Sequence, residues 1–290
     1  MRAATFLGLL LVIAPTAHAQ SVAVEVSEVT DNRFTGSMMT GSLEVHVKLN
    51  GAAVEKATAA RVVVKEARDD RGNVLPDESM SHDFTARNVN DGTLQFTLKQ
   101  PPRDASTVRV KGTAELYVPS RDPNATVKVE KAFSHLDAPI ASKLLKAAKV
   151  DLTLLSPAGY TKQRNANRID DKKIEEARAR AKKEGMSDKE FEMTVGLAKA
   201  LEAIDQDAPE GSVILSGKRA AFDRILSVDV LGGDGKPIDM TARTLTTHGD
   251  DSVMMMQPSH PPPANASLQF QLITEKVRVS SPFELTVRLP

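Results

Sequence analysis

The residues best suited to chemistry gather between His248 and His260, where two histidines flank three consecutive methionines. Thioether sulfur is a soft ligand that favours Cu(I), and imidazole binds copper in either oxidation state. The segment therefore suggests a copper site formed by His248, Met254, Met256 and His260. In an extended strand, however, Met254 and Met256 would face one side as core residues and Met255 the other. This alternation favours packing, so a periplasmic copper-binding or carrier protein is an alternative hypothesis.

Other reactive side chains stand in contexts typical of polar turns. His248, Asp250 and the nearby serines supply the residue types of a hydrolase, but a catalytic triad is defined by geometry that proximity in sequence does not supply. The paired aspartates at 69–70 and 250–251 lack the additional carboxylates of a Ca²⁺ shell. The common metalloprotease, esterase and nucleotide-binding motifs are absent. An envelope hydrolase is therefore a second alternative, for which the sequence offers no specific nucleophile. A non-enzymatic role is favoured, and no cofactor is expected.

Composition excludes several classes of function. The chain has no cysteine, which excludes thiol catalysis, disulfides and cysteine metal sites. Its 38 basic and 38 acidic residues give no basic excess for a nucleic-acid backbone. It has no Trp and two Tyr, which disfavours aromatic stacking on glycans. Protein binding remains as the main expectation.

The N-terminus has the pattern of a secretory signal peptide. Arg2 precedes an apolar run over residues 6–14, and Ala17 and Ala19 form a small-x-small site. This pattern predicts that residues 1–19 are removed by cleavage between Ala19 and Gln20. The apolar run is about half the ~20 residues needed to cross a bilayer, and no later segment is apolar enough to do so. We therefore expect a periplasmic or secreted product without an integral membrane segment.

The first part of the mature chain reads as a series of short strands. Residues 22–26 and 43–49 alternate apolar and polar side chains, which is typical of strands with one buried face. Further candidate strands are 61–66, 94–98, 108–118 and 126–130, with turn residues between them. This spacing resembles an immunoglobulin-like antiparallel β-sandwich, and it predicts a first domain over residues 20–137.

A second, related sandwich is predicted over residues 138–290. Residues 61–75 can be laid over 224–238 without a gap, 94–98 matches 268–272, and 115–118 matches 284–287. The three matches occur in the same order, which indicates a duplication.

An inserted α-helical hairpin is predicted over about residues 168–205 of the second domain. This segment is rich in Ala, Glu, Lys and Arg, and one helix is expected over 170–184 with Gly185 at its end. Ser187 and Glu190 form a capping box at the start of another helix, whose apolar face consists of Phe191, Val195, Ala198 and Leu201. Proteins with a rigid β scaffold often bind their partners through segments that project from it. We therefore expect the hairpin to contact another protein of the bacterial envelope.

Overall fold

Alternating apolar residues produce a mainly β protein, with 46% of the chain in strands and 21% in helices in the computed structural model. The structure describes residues 22–33, 41–80, 83–84, 93–167, 171–204 and 208–290. The expected signal peptide and its cleavage site lie outside these residues. Internal contacts divide the chain into two units, one that ends at Arg121 and also takes Lys276–Pro290, and one that spans Asp122–Glu275.

The described residues of unit 1 form two antiparallel sheets. Its strands are β1 (Ala23–Asn32), β2 (Ser42–Asn50), β3 (Ala59–Asp69), β4 (Thr93–Lys99), β5 (Thr107–Tyr117) and, from the end of the chain, β14 (Arg278–Arg288). The two sheets have the strand orders β1-β2-β4 and β14-β5-β3. Leu43, Val45 and Val47 of β2 are fully buried, as the alternation in the sequence predicts. They pack in one cluster with Val108 and Val110 of β5, so the core of unit 1 lies between its two sheets.

Unit 2 combines eight strands with five helices in its described part. The strands are β6 (Thr126–Val129), β7 (Ala138–Pro139), β8 (Leu152–Leu155), β9 (Val213–Lys218), β10 (Ile225–Leu231), β11 (Met240–His248), β12 (Asp251–Pro258) and β13 (Ser267–Leu272). The helices are α1 (Lys143–Ala147), α2 (Pro157–Asn167), α3 (Asp171–Lys183), α4 (Asp188–Ile204) and α5 (Arg219–Phe222). The sheets have the orders β10-β13-β6 and β11-β12-β9-β8-β7.

The core of unit 2 also lies between two sheets. Leu152, Leu215 and Met256 of the five-stranded sheet pack in one cluster with Val228 and Phe270 of the three-stranded sheet. Neither α3 nor α4 contributes a described residue to this cluster. The part of α3 and α4 that the structure describes therefore packs outside the main core.

The two units differ in how their strands are connected. The sequence-based boundary between residues 137 and 138 falls inside unit 2, because β6 precedes it and pairs with β13. The segments matched as repeats also take different positions: β3 and β4 belong to separate sheets, whereas β10 and β13 are neighbours in one sheet. In the last match, residues 284–287 lie in β14, which pairs with β5 of the same unit. The topology therefore gives the proposed duplication no support.

The two helices expected from composition are present. The first was predicted at residues 170–184 and is α3, and the second begins after Ser187 as α4. Glu190 accepts hydrogen bonds from the backbone N–H of Ser187 at 3.0 Å and from its Oγ at 2.6 Å, which confirms the capping box. A third helix, α2, precedes them and was not predicted from the sequence. All three lie in the chain between β8 and β9, which are paired neighbours.

Candidate protein-binding surfaces

The methionine segment lies in β12 and is divided between two apolar clusters. Met256 is fully buried in the core of unit 2, and Met254 packs against the same cluster. Met255 faces the opposite side of the sheet, where it packs against Tyr160 of α2 and Ile214 of β9. The alternation expected for a strand is therefore confirmed, and Met254 and Met256 serve as core residues.

The two histidines lie towards opposite ends of the β11–β12 hairpin. His248 ends β11 opposite Asp251, whereas His260 follows the far end of β12 and is exposed. Since a strand rises about 3.4 Å per residue, the length of β12 places them roughly 25 Å apart. The structure thus spreads the candidate copper ligands along the hairpin. Among the residues that the structure describes, no group of three or more His, Asp or Glu side chains is arranged to hold a metal ion.

The polar residues near His248 form contacts within the β11–β12 hairpin and with β9. Ser252 is 1% exposed, and its hydroxyl lies 2.9 Å from the Thr247 hydroxyl. Asp251 forms a 2.8 Å ion pair with Lys218, and this hydrogen bond raises the pKa of the Lys218 ammonium group. These contacts stabilise the β11–β12 turn and its attachment to β9.

The aspartate pair at residues 69–70 also has a structural role. The Asp69 carboxylate accepts hydrogen bonds from the backbone N–H groups of Arg71 and Asn73, at 2.9 and 2.8 Å, and from the Asn73 side chain at 2.7 Å. Burial acts to raise the pKa of Asp69, but these bonds outweigh it and lower the pKa. Asp69 therefore closes a turn with its own neighbours.

The pair formed by α3 and α4 has a small core of its own. Ile174 and Ala181 of α3 pack with Phe191 of α4, and all three are at most 9% exposed. The Arg178 guanidinium lies 5.2 Å from the centre of the Phe191 ring and forms an ion pair with Glu192. Over its described side chains, one face of α4 thus packs on α3.

A second face of α4 carries large apolar side chains that remain exposed. Met193 and Leu197 are 66% and 63% exposed and stand four residues apart, which places them side by side on the helix. Met186, in the turn before α4, is 40% exposed. The apolar face predicted from the sequence consists of Phe191, Val195, Ala198 and Leu201, of which the last two have side chains outside the described part of α4. That prediction missed the second stripe, although its i, i+4 spacing is visible in the sequence.

A different exposed surface is the outer edge of β11. Residues 241–248 are all exposed, including Leu245 at 49%. β11 pairs with β12 on one side, and no strand of the described chain pairs with its other side. This strand is not among those predicted from the sequence, although Thr244 and Thr246 give the β-branched alternation typical of one.

Comparisons with known proteins provide no relative for this chain. No protein-family model, no curated protein and no solved structure matches it. No helix within the described ranges combines the length and the apolar character needed to cross a bilayer.

Proposed function

We propose that this chain is an exported, non-enzymatic protein-binding module of the bacterial envelope, built on two immunoglobulin-like sandwiches and binding its partner through a helical hairpin formed by α3 and α4. The observation that carries the proposal is the second apolar face of α4. Met193 and Leu197 are exposed there, while the opposite face already packs on α3. The signal-peptide pattern of residues 1–19 supports export.

Helices that bind other proteins commonly place apolar residues at i and i+4 in a groove of the partner. Met193 suits such a contact because the unbranched thioether side chain adapts to irregular surfaces. Single exposed apolar residues are common on protein surfaces, but Met193 and Leu197 together form an apolar patch on a helix whose other face already packs on α3. The expected partner is a protein with an apolar groove that accepts one face of α4.

The attachment of the helices is compatible with such a role. Because the main core of unit 2 takes no described residue from α3 or α4, changes on this surface should leave the sandwich intact. Replacing residues 171–204 by a short glycine-rich linker should preserve the β-sheet circular dichroism signal of the protein and abolish partner binding.

Site-specific photo-cross-linking in cells provides the direct test. A photo-reactive amino acid at Met193 should capture one defined partner, and the same amino acid at Glu176, an exposed position of α3, should not. With the captured partner purified, Leu197→Glu should weaken binding by at least about tenfold, since a charge would enter an apolar contact.

Leu144→Glu is the matched control, because Leu144 is 43% exposed on α1. It should bind the partner as the unaltered protein does. Equal cross-linking at Met193 and Glu176, or unchanged binding by Leu197→Glu, would contradict the proposed role of α4.

A further inference from the structure

Among the described strands, the outer edge of β11 differs from the other sheet edges, which are covered, carry charges or proline, or are short. The residues following Asp77 cover β4, since Glu78 N–H donates to the Thr97 carbonyl at 2.8 Å. Ile238 N–H donates to Val230 on the edge of β10, also at 2.8 Å. The remaining edge strands are β1, β3, β6, β7 and β14. Each of them carries charged residues or proline, and β6 and β7 are also short. Such devices prevent strands from pairing with another chain.

β11 lacks this protection over its central part. Arg243 is its only Lys, Arg, Asp or Glu residue, and its guanidinium donates to the Val228 carbonyl of β10, which directs the charge towards the rest of unit 2. The sole irregularity of its register lies between Met240 and Ala242, at one end of the strand. Residues 244–247 therefore offer an uncharged, regular edge of β-branched and apolar residues.

The hairpin register shows which backbone groups point outwards. His248 and Asp251 close a two-residue turn in which Gly249 has φ 61°, so they form a hydrogen-bonded pair. Because hydrogen-bonded and non-hydrogen-bonded positions alternate along an antiparallel pair, the N–H and C=O groups of Arg243, Leu245 and Thr247 face the free edge.

We propose that β11 pairs antiparallel with β11 of a second copy of this chain, around a two-fold axis at Leu245. This register places Arg243 opposite Thr247 of the other copy, and Leu245 opposite its own equivalent. All outward groups of these residues then form about six hydrogen bonds between the copies. The proposal is independent of the role of α4.

Self-complementarity selects a second copy as the occupant. The two-fold pairing covers the half-exposed Leu245 with an identical apolar side chain, on the face where Leu245 opposes Met254. On the opposite face it pairs Thr244 with Thr246 of the other copy, a favourable cross-strand combination. No like charges stand opposite each other along the pair, and the chain has balanced charge, with 38 basic and 38 acidic residues.

Sedimentation equilibrium of the purified protein should show a reversible dimer. A single paired strand buries less than the ~1,200 Å² typical of stable complexes, so we expect a Kd of about 1–100 µM. Leu245→Lys places like charges opposite each other on the axis and should raise this Kd at least about tenfold. Leu144→Lys adds the same charge at a similarly exposed position on α1 and should leave the Kd unchanged. Circular dichroism checks that both variants are folded.

The absence of cysteine permits a direct test of the register. Leu245→Cys should form a disulfide-linked dimer on mild oxidation, since directly opposed Cα atoms lie about 5.5 Å apart. Thr246→Cys should not, because the two equivalent positions would be about 8 Å apart. A protein that stays monomeric, a dimer unaffected by Leu245→Lys, or equal cross-linking at both positions would overturn the proposal. If the protein is monomeric, the free edge of β11 would instead be available to a strand of another protein.

Discussion

Replacing Met256 by Ala tests the placement of the methionine segment most directly. Met256 is 0% exposed, and its cluster includes residues from both sheets of unit 2, such as Leu215 and Phe270. Removing a buried methionine side chain costs about 2–5 kcal/mol through lost transfer energy and the cavity left behind. Because two sheets held by their own hydrogen bonds cannot close the cavity completely, we expect a loss near 3 kcal/mol in the stability of unit 2.

The two tyrosines allow unit 2 to be followed by itself. The chain has no Trp, Tyr117 belongs to unit 1, and Tyr160 belongs to unit 2. In a Tyr117→Phe background, tyrosine fluorescence therefore reports on Tyr160 alone. With an m-value of about 2 kcal/mol/M, the Met256→Ala change should lower the urea midpoint by about 1.5 M.

Met193→Ala is the matched control, because it is the same substitution at a residue that is 66% exposed. This substitution should change the free energy of unfolding by no more than about 0.5 kcal/mol. If Met256→Ala were no more destabilising than Met193→Ala, Met256 would not be a core residue, and a role in copper binding would need to be considered again.

Four further substitutions test local contacts; thermal unfolding followed by circular dichroism measures the first, and urea unfolding measures the other three. Ser187→Ala removes the capping box of α4 and should cost about 1 kcal/mol in the stability of that helix, seen as reduced ellipticity at 222 nm on heating. Gly159→Ala should destabilise unit 2 by about 1–3 kcal/mol, because the added methyl group collides with the Asp137 carboxylate, whereas Gly196→Ala, with open space around it in α4, should stabilise by about 0.5–1 kcal/mol. Burial raises the pKa of Asp229 although Arg243 acts in the opposite direction, so the folded-state value lies above the unfolded one. The resulting stability is present below the unfolded pKa and is lost as pH rises through the folded pKa, so Asp229→Asn should be the more stable protein at about pH 7 and should lack this pH dependence. A less stable Asn variant at that pH would contradict the stated cause.

Local patterns in the sequence predicted most of the strands and two of the helices. Residues 43–49 became β2 and residues 94–98 lie within β4, because alternation is a local consequence of having one buried face. The capping box at Ser187 marked the start of α4 for a similar reason, since its hydrogen bonds join residues three positions apart. The alternation of Met254, Met255 and Met256 likewise predicted their two faces correctly.

Features that depend on distant contacts were not visible in the sequence. α2 lacks an apolar stripe of helical period; it is held by Tyr160 on the five-stranded sheet and by a 2.9 Å bond from Gln163 to Ser216. The pairing of β14 with β5 joins residues more than a hundred positions apart, and no local pattern encodes it. The exposure of β11 depends on which strand lies at the end of its sheet, and local alternation does not encode that position.

The contribution of β14 to unit 1 has a consequence for synthesis of the protein. All of unit 2 emerges from the ribosome before β14 does, so a nascent chain has β5 paired on one side only. Val108 and Val110 of β5, which are fully buried in the finished protein, belong to a strand with an open edge during that interval. Unit 1 therefore becomes complete only after unit 2 has been synthesised, and until β14 pairs with it the open edge of β5 is where the growing chain is most exposed to aggregation.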